Sequence, residues 1–248
     1  MSLRAARRAV ALGAILALSV VRYWLARLRG PLSMESRALW VQKSCRQVLA
    51  SMGIPFRVEG SAPTHGLVVS NHLSYLDVLI LSAAMPCFFV AKMEIDRWPF
   101  FGWAARMGGT IFLNRSSMAS NNSVARQIDE RLKLPVPVLL FPEGTSTDGS
   151  HVLRFHARLI APAVAAGAPI TAAAIRYVAA DGTPERELCW FGDVLFLPHL
   201  LKTLGTAGFS AMVSFGPPRL HPDNRAAASH THAEIVDLRR QLLSSPRF

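Results

Sequence analysis

Short apolar runs, bounded by glycine, proline or polar residues, recur along most of this chain. Seven of them have the composition of strands, and they read FRVEG, GLVVS, CFFVAK, GTIFLN, VPVLLF, PITAAAIRY and AMVSFG. Helices are predicted between several of the runs, at about residues 77–84, 120–132 and 152–166, and a last helix lies within HPDNRAAASHTHAEIVDLRRQLL. Alternation of this kind predicts an α/β fold with a mixed, largely buried central sheet flanked by helices.

The N-terminal segment has another pattern, because one longer apolar run replaces the short ones. Residues 9–21 carry no charge and follow three arginines within the first eight positions. A helix that spans a bilayer needs ~20 apolar residues, so this run is too short unless Arg22 and Arg27 reach back to the interface. No clear small-x-small cleavage site follows the run, as it would in a secretory signal peptide. We therefore expect an uncleaved membrane anchor.

A second N-terminal helix is predicted at about residues 33–52. Its apolar positions recur at three- and four-residue spacing on one face, and Gly53 is suited to end it. Periodicity does not identify the partner of that face, which either lies in one leaflet of a membrane or packs on the protein core. The prediction is a membrane-associated helical hairpin in residues 1–53, followed by an α/β domain in residues 54–248.

The distribution of charge supports a lipid partner for the N-terminal segment. The chain has a net charge of +11, and residues 1–50 hold nine of its basic residues and one acidic residue. Basic residues beside apolar helices are attracted to anionic lipid headgroups. No helix-turn-helix, zinc-finger or RNA-binding signature is present, so nucleic acid is not an expected partner. The three cysteines form no CxxC motif, which fits buried thiols in a reducing compartment.

The turn after the second apolar run, SNHLSYLD, contains a histidine and an aspartate five positions apart. Within one helix such residues point in different directions, since each residue advances ~100°. His72 must therefore precede the helix for its ring to meet Asp77, and Ser74 with Asp77 fits a capping box. An imidazole held by a carboxylate is suited to take a proton from a hydroxyl. The alternative is a structural pair, in which the aspartate caps the helix and the histidine bonds only backbone.

Three further stretches favour the catalytic interpretation. GGTIFLNR ends a predicted strand with Arg115, a planar cation suited to bind phosphate, and FVAK ends another with Lys92. LLFPEGTSTDG ends a strand in a turn whose amides and hydroxyls are suited to hold an anion or an oxyanion. The candidate residues of that turn are Glu143, Gly144, Thr145 and Ser146.

These blocks, in this order, resemble the motifs of the glycerolipid acyltransferases of the lysophosphatidate type. NHLSYLD matches the NHxxxxD motif of that family, and GTIFLNR and FPEGTS match its second and third blocks. The resemblance runs from about Gly66 to Ile175, and the N-terminal hairpin is similar to the monotopic anchor of bacterial members. It implies that His72 is the general base and Asp77 its partner.

The resemblance also implies the substrates. Arg115 and the pair Glu143 and Gly144 would bind the glycerol phosphate of the acceptor, with Lys92 near that phosphate. An acyl chain would pass from acyl-CoA or acyl-carrier protein to the free hydroxyl of a lysophospholipid, above all 1-acylglycerol-3-phosphate, which yields phosphatidic acid. Lyso-ornithine lipid or another lysolipid is the alternative acceptor, and a non-catalytic lipid-binding protein on the same scaffold is the alternative class.

The expected setting is the cytoplasmic face of the inner membrane, where the N-terminal helices anchor the protein to the phospholipid bilayer. No cofactor is expected besides the acyl donor, which is a substrate. No metal is expected either, because His230 and His232 of the HTH stretch have no evident third ligand and no HExxH motif is present.

Overall fold

The computed structural model describes residues 2–98, 101–113 and 118–245. Within these ranges the chain forms seven strands and nine α-helices. The strands are β1 Phe56–Glu59, β2 Leu67–Ser70, β3 Phe88–Lys92, β4 Ile111–Leu113, β5 Val138–Leu140, β6 Ile170–Ala179 and β7 Phe209–Phe215. The helices are α1 Leu3–Arg27, α2 Met34–Met52, α3 Leu76–Ala84, α4 Met93–Asp96, α5 Phe101–Gly108, α6 Met118–Leu132, α7 Ala157–Ala165, α8 Phe196–Gly205 and α9 Asn224–Ser244.

All seven strands join one mixed sheet in the order β1-β7-β6-β2-β5-β3-β4. β6 and β7 pair antiparallel, and every other neighbouring pair is parallel. Each strand falls on one of the seven apolar runs, so the predicted α/β fold class is confirmed. Because β2, β5, β3 and β4 run in the same direction, the segments that leave their carboxyl ends lie along one edge of the sheet.

Helices cover both faces of the sheet, and the side chains of each strand alternate between the two layers. Val68 of β2 belongs to a core that includes residues of α2, α3 and β7. Its neighbours Leu67 and Val69 belong to a second core with residues of α7 and α9. β2 is therefore buried on both sides, which explains its uninterrupted apolar sequence.

The apolar face of α2 packs on the protein rather than on lipid. Ser33 caps the helix by accepting from the Ser36 N–H at 3.2 Å, and Gly53 ends it with a positive φ of 68°. Leu49 is 1% exposed and shares one core with Ile80 of α3. Of the two partners that the periodicity left open, the structure shows the protein core.

α1 lies against α2 through a narrow polar and aromatic seam. The Ser19 hydroxyl donates to Ser44 Oγ at 2.6 Å, and Trp40 Nε1 donates to the Ser19 carbonyl at 2.9 Å. Arg8 donates to the last carbonyls of α8, at Leu204 and beyond it at Thr206. In the described part of the chain, α1 is the one helix whose length and mean hydropathy suffice to cross a membrane.

Most of the remaining surface of α1 is apolar and exposed. The exposed large hydrophobic side chains on it are Leu3, Val10, Leu18, Val21, Trp24 and Leu25. The two-helix arrangement expected for the N-terminus is therefore present, although α2 shares the core of the α/β body. The division at residues 1–53 and 54–248 stays a prediction.

Some predicted boundaries were wrong by several residues. α7 begins at Ala157 and not near residue 152, because the preceding residues are extended and the Leu153 N–H bonds a carboxylate outside the helix. α4, α5 and α8 were not predicted. α8 places His199 in the interior and leaves Leu197 on the surface.

Candidate active site

His72 and Asp77 meet at the carboxyl edge of the sheet. His72 lies in the turn that follows β2, and Asp77 is the second residue of α3. His72 Nδ1 is 2.8 Å from Asp77 Oδ2, and the Asp77 side chain is fully buried. The bond fixes the neutral ring with its proton on Nδ1, which leaves the lone pair on Nε2. The structure thus forms the pair that the motif predicted.

The Asp77 carboxylate accepts three more hydrogen bonds besides that of the histidine. Oδ2 accepts from the backbone N–H groups of Leu73 at 2.6 Å and Ser74 at 3.0 Å. Oδ1 accepts from the Tyr177 hydroxyl. A fully buried carboxylate needs such donors because burial without them is costly. The first turn of α3 also favours a negative charge at this position.

The capping box predicted at this turn is only half formed. The Asp77 carboxylate reaches back to the Ser74 N–H, as the box requires. The Ser74 hydroxyl, however, accepts from the Leu76 N–H at 3.4 Å instead of the Asp77 N–H, and the helix begins at Leu76. The Asp77 N–H bonds the Ser74 carbonyl. A tight turn therefore replaces the expected cap and brings the carboxylate under His72.

Three further contacts hold His72 in place. Its N–H donates to Glu143 Oε1 at 2.7 Å, and its carbonyl accepts from the Thr147 N–H at 2.9 Å. The ring stacks on Phe141 with the centroids 4.0 Å apart and an interplanar angle of 12°. The side chain stays 19% exposed, and Nε2 has no protein partner in the described part of the chain. Nε2 is therefore the nitrogen that can meet a substrate hydroxyl.

Glu143 joins three segments of the chain. It follows β5, it is 4% exposed, and its Oε2 accepts from the Leu153 N–H at 2.7 Å while Oε1 holds His72. Burial raises the pKa of Glu143 to about 7, and the two backbone donors act in the opposite direction. The predicted substrate-binding role stays a prediction, and the structure gives this carboxylate a second task, which is to fix the His72 turn.

Further hydrogen bonds hold the rest of that turn in place. Gly144 has a φ of 78°, a conformation that favours glycine, and its N–H donates to the Phe141 carbonyl at 3.1 Å. Thr145 is exposed. The Ser146 hydroxyl donates to the Trp190 carbonyl at 2.5 Å, which ties the turn to the segment before α8. The substrate-binding roles predicted for these residues stay predictions.

Of the two predicted phosphate-binding cations, Lys92 lies among the described residues. Lys92 is the last residue of β3, on the same edge of the sheet as His72, and it is exposed. Arg115 lies outside the described residues. β4, which ends two residues before it, pairs with β3 in parallel, with Leu113 opposite Lys92.

An aromatic cluster borders the site. Tyr75, between Ser74 and the start of α3, lies 4.9 Å from Phe196 of α8 between ring centroids. Phe196 also contacts Trp98 at 5.0 Å and Phe101 at 5.4 Å. Trp190 completes this cluster through contacts with Tyr75 and Trp98. The sequence did not indicate the contribution of α8, because Phe196 is far from the motifs along the chain.

Other residues that support the His72–Asp77 pair, from other parts of the sheet, were not predicted from the sequence. The Phe141 ring stacks on the His72 ring. The Tyr177 hydroxyl, on β6, donates to Asp77, although the two residues are 100 positions apart in sequence. Asn71 forms two bonds with the backbone of Ile175, accepting at 2.9 Å and donating at 3.2 Å. Of these residues, only Asn71 could have been found from the local sequence, since it directly precedes His72. The others depend on strand order, which the local pattern does not specify.

Comparisons with known proteins find acyltransferases. A family model described as Acyltransferase matches residues 56–176, which include His72, Asp77 and the turn at Glu143. A lyso-ornithine lipid O-acyltransferase of Rhodobacter capsulatus is 37% identical over 70% of this chain and 65% of its own length. A 1-acyl-sn-glycerol-3-phosphate acyltransferase of Neisseria meningitidis is 39% identical over 61% of this chain and 60% of its own.

A solved structure has the same fold over nearly the whole chain. The 1-acyl-sn-glycerophosphate acyltransferase PlsC of Thermotoga maritima is similar with a TM-score of 0.74 at 18% identity, over 99% of this chain and 97% of that chain. The similarity includes the N-terminal helices. The matched region spans slightly less than two thirds of the length of the two bacterial relatives above.

Proposed function

The chain belongs to the acyltransferase family, and on that premise we propose that it moves an acyl chain from a thioester donor to the free hydroxyl of a lysolipid. The donor is acyl-CoA or acyl-carrier protein, and no cofactor or metal takes part. The observation that carries the proposal is the His72–Asp77 pair, with one ring nitrogen on a buried carboxylate and the other free toward the outside.

The proposed reaction uses the pair as general base and then as general acid. His72 Nε2 takes the proton of the acceptor hydroxyl while the oxygen attacks the thioester carbonyl carbon. The C–S bond breaks as the tetrahedral intermediate collapses, and the imidazolium returns its proton to the departing thiolate. The buried Asp77 carboxylate stabilises the imidazolium between the two steps. Charge, atoms and protons balance without another reactant.

The oxyanion of the intermediate needs hydrogen-bond donors that are already in place. The turn after β5 supplies candidates, because the N–H groups of Thr145 and Ser146 have no protein acceptor among the described residues. Thr145 and Ser146 are four and five residues after Phe141, on which the His72 ring stacks. The sequence prediction of an anion site at this turn is thus part of the proposal.

We propose 1-acylglycerol-3-phosphate as the main acceptor and phosphatidic acid as the product. Lys92 is exposed at the end of β3. Together with Arg115, which the sequence motif assigns to the acceptor, it would supply two cations, and two cations suit a phosphate monoester. A second acceptor, lyso-ornithine lipid, is supported by the Rhodobacter capsulatus relative, which matches a larger share of this chain than the Neisseria meningitidis relative does.

The proposed location is the cytoplasmic face of the inner membrane, where both thioester donors are made. The exposed apolar side of α1 and the basic residues beside it suit an anionic bilayer. α8 adds exposed leucines at positions 195, 197 and 201, next to the aromatic cluster that borders the site.

The test uses the purified full-length protein in mixed micelles with radiolabelled acyl-CoA or acyl-carrier protein and a panel of lysolipids. We expect labelled diacyl product with 1-acylglycerol-3-phosphate, and the panel ranks lyso-ornithine lipid against it. Labelled product from lyso-ornithine lipid alone would transfer the proposal to that acceptor. No product from any acceptor with either donor would favour the non-catalytic lipid-binding protein.

A further inference from the structure

We propose that Tyr177 is a positioning residue for the reaction, whose hydroxyl orients the Asp77 carboxylate and limits the negative charge that it presents to His72. This inference rests on the proposed function, because it assigns a role beside the same histidine. Tyr177 does not touch the substrate in this account. It acts through Asp77.

The geometry singles out the hydroxyl of Tyr177. The residue lies on β6 and is 1% exposed, and its hydroxyl donates to Asp77 Oδ1. The opposite oxygen, Oδ2, holds His72 and two backbone N–H groups. Each carboxylate oxygen therefore has its own donors, and rotation of the carboxylate would break bonds on both sides. Tyr177 supplies the donor on the side away from the histidine.

The position of Tyr177 is itself fixed from behind. Its backbone N–H donates to Glu185 Oε1 at 2.7 Å, and Glu185 Oε2 lies 2.6 Å from Arg239 Nη2. Arg239 of α9 is 3% exposed and donates to the Ile175 carbonyl at 2.6 Å and the Gly149 carbonyl at 2.7 Å. A buried ion pair thus fixes this part of β6. A tyrosine ring that only filled the core would need no more than apolar contacts, such as the contact with Phe209.

A donor on Oδ1 disperses the charge of the carboxylate, and less charge then stabilises the His72 imidazolium. Burial, together with the negative Asp77, raises the pKa of Tyr177 well above its ordinary range, so the hydroxyl stays protonated and remains a donor. Other ionisable groups lie around Asp77 and Tyr177. They are His72, Glu143, Glu185, Cys189 and Arg239.

The test compares the pH dependence of kcat/KM for the wild type and Tyr177→Phe. Phenylalanine keeps the ring and removes the donor, so Asp77 holds the imidazolium more tightly. The acid limb of the profile should move to higher pH by about one unit, a size typical of one lost charged hydrogen bond. The plateau should fall roughly 10-fold through kcat, with little change in the acceptor KM.

Tyr75→Phe is the matched control for the lost hydroxyl. Tyr75 also borders the site, but its hydroxyl faces His199 Nδ1 at 3.2 Å and not Asp77. Its acid limb should stay at the position of the wild type. A Tyr177→Phe profile with the acid limb unmoved would overturn the inference, even if the variant is less stable.

His72→Ala separates this inference from the proposed function. If His72→Ala is inactive and the acid limb of Tyr177→Phe is unmoved, only the role of Tyr177 fails. If His72→Ala keeps its turnover, the proposed function fails and the inference fails with it.

A measurement on the wild type covers the case in which Tyr177→Phe does not fold. The chain has three tyrosines, so 13Cζ-labelled tyrosine gives three resonances, which Tyr23→Phe and Tyr75→Phe assign. The Tyr177 resonance should shift as His72 titrates. A resonance that does not change through that pH range would overturn the inference.

Discussion

Side chains of the candidate site bond mainly to backbone N–H groups, and this decides which residues can be exchanged. Asp77 accepts from Leu73 and Ser74, and Glu143 accepts from His72 and Leu153. Such bonds hold the turns in shape before any substrate arrives. Because a carboxylate only accepts, its amide counterpart would place an NH₂ group against a backbone donor.

Glu143 is expected to make the stability of the protein depend on pH. Its pKa is about 7 in the folded protein against an ordinary value of 4.5, so the folded state binds the proton more tightly. The stabilisation from this proton is fully present below pH 4.5 and is lost as the pH rises through about 7. Relative to Glu143→Gln, which cannot titrate, the wild type should lose up to about 3 kcal/mol across that window.

Urea denaturation of both proteins at a series of pH values measures this difference. The comparison cancels the other titrating groups, which both proteins share. Glu143→Gln should also be less stable by about 1–3 kcal/mol at low pH, since one backbone donor loses its acceptor. A difference between the two proteins that stays constant with pH would contradict the raised pKa.

At the residue scale the sequence predicted the contacts that lie within one turn. His72 and Asp77 are five positions apart, and the requirement that the histidine precede the helix was sufficient to bring them together. Tyr177 and Phe141 could not be predicted, because they reach the pair only through the pairing of β2 with β5 and β6. The capping box formed only in part, for a local reason, since the chain forms a tighter turn at Ser74.

Among the elements, α2 shows what periodicity can and cannot specify. Its apolar face was predicted correctly, with Cys45, Val48 and Leu49 all buried. The partner of that face was left open, because a membrane leaflet and a protein core favour the same residues. Strands were predicted well for the opposite reason, since runs as apolar as β2 and β5 have few alternatives to the interior of a sheet. Their order in the sheet arises from contacts far apart in sequence.

Leu49→Ala tests whether α2 is part of the folded body. The side chain is 1% exposed in the core shared with α3, so truncation should lower the free energy of unfolding by about 2–5 kcal/mol. Leu39→Ala is the matched control on the same helix, where leucine is 44% exposed and the expected change is below ~0.5 kcal/mol. Chemical denaturation in detergent measures both. Equal small effects would mean that α2 folds apart from the α/β body.

At the scale of the whole molecule, the site and the exposed apolar helices form one arrangement. α1 contacts the C-terminal end of α8, and the N-terminal end of α8 lies at the aromatic cluster beside the site. The seven-stranded sheet holds His72 at one edge while the helices on one face carry the apolar surface. This arrangement could not be predicted from the sequence, because α8 carries no motif.

The exposed side of α1 should determine membrane binding. Replacing Leu18, Val21 and Leu25 with asparagine leaves the contacts with α2 in place and removes the apolar surface, which is worth roughly 1.5–3 kcal/mol for each side chain fully buried in lipid. The fraction bound to vesicles that contain anionic lipid should fall at least ~10-fold. Sedimentation of the vesicles gives the bound fraction.

Leu243→Asn is the control for the vesicle experiment, since this leucine is 52% exposed on α9, on the opposite face of the sheet. It should bind like the wild type. Residual binding of the triple variant should decrease with added salt, because the basic residues of α1 remain. Undiminished binding of the triple variant would rule out α1 as the anchor.

The central claim is that the imidazole of His72, held by Asp77, performs the proton transfers of acyl transfer to a lysolipid. The most direct test is to measure kcat/KM of purified His72→Ala and of the wild type with 1-acylglycerol-3-phosphate and acyl-CoA. The two proteins should first be shown by circular dichroism to be equally folded. We predict a loss of at least ~10²–10⁴-fold, which corresponds to general-base catalysis. A folded His72→Ala protein with a rate near that of the wild type would contradict the account.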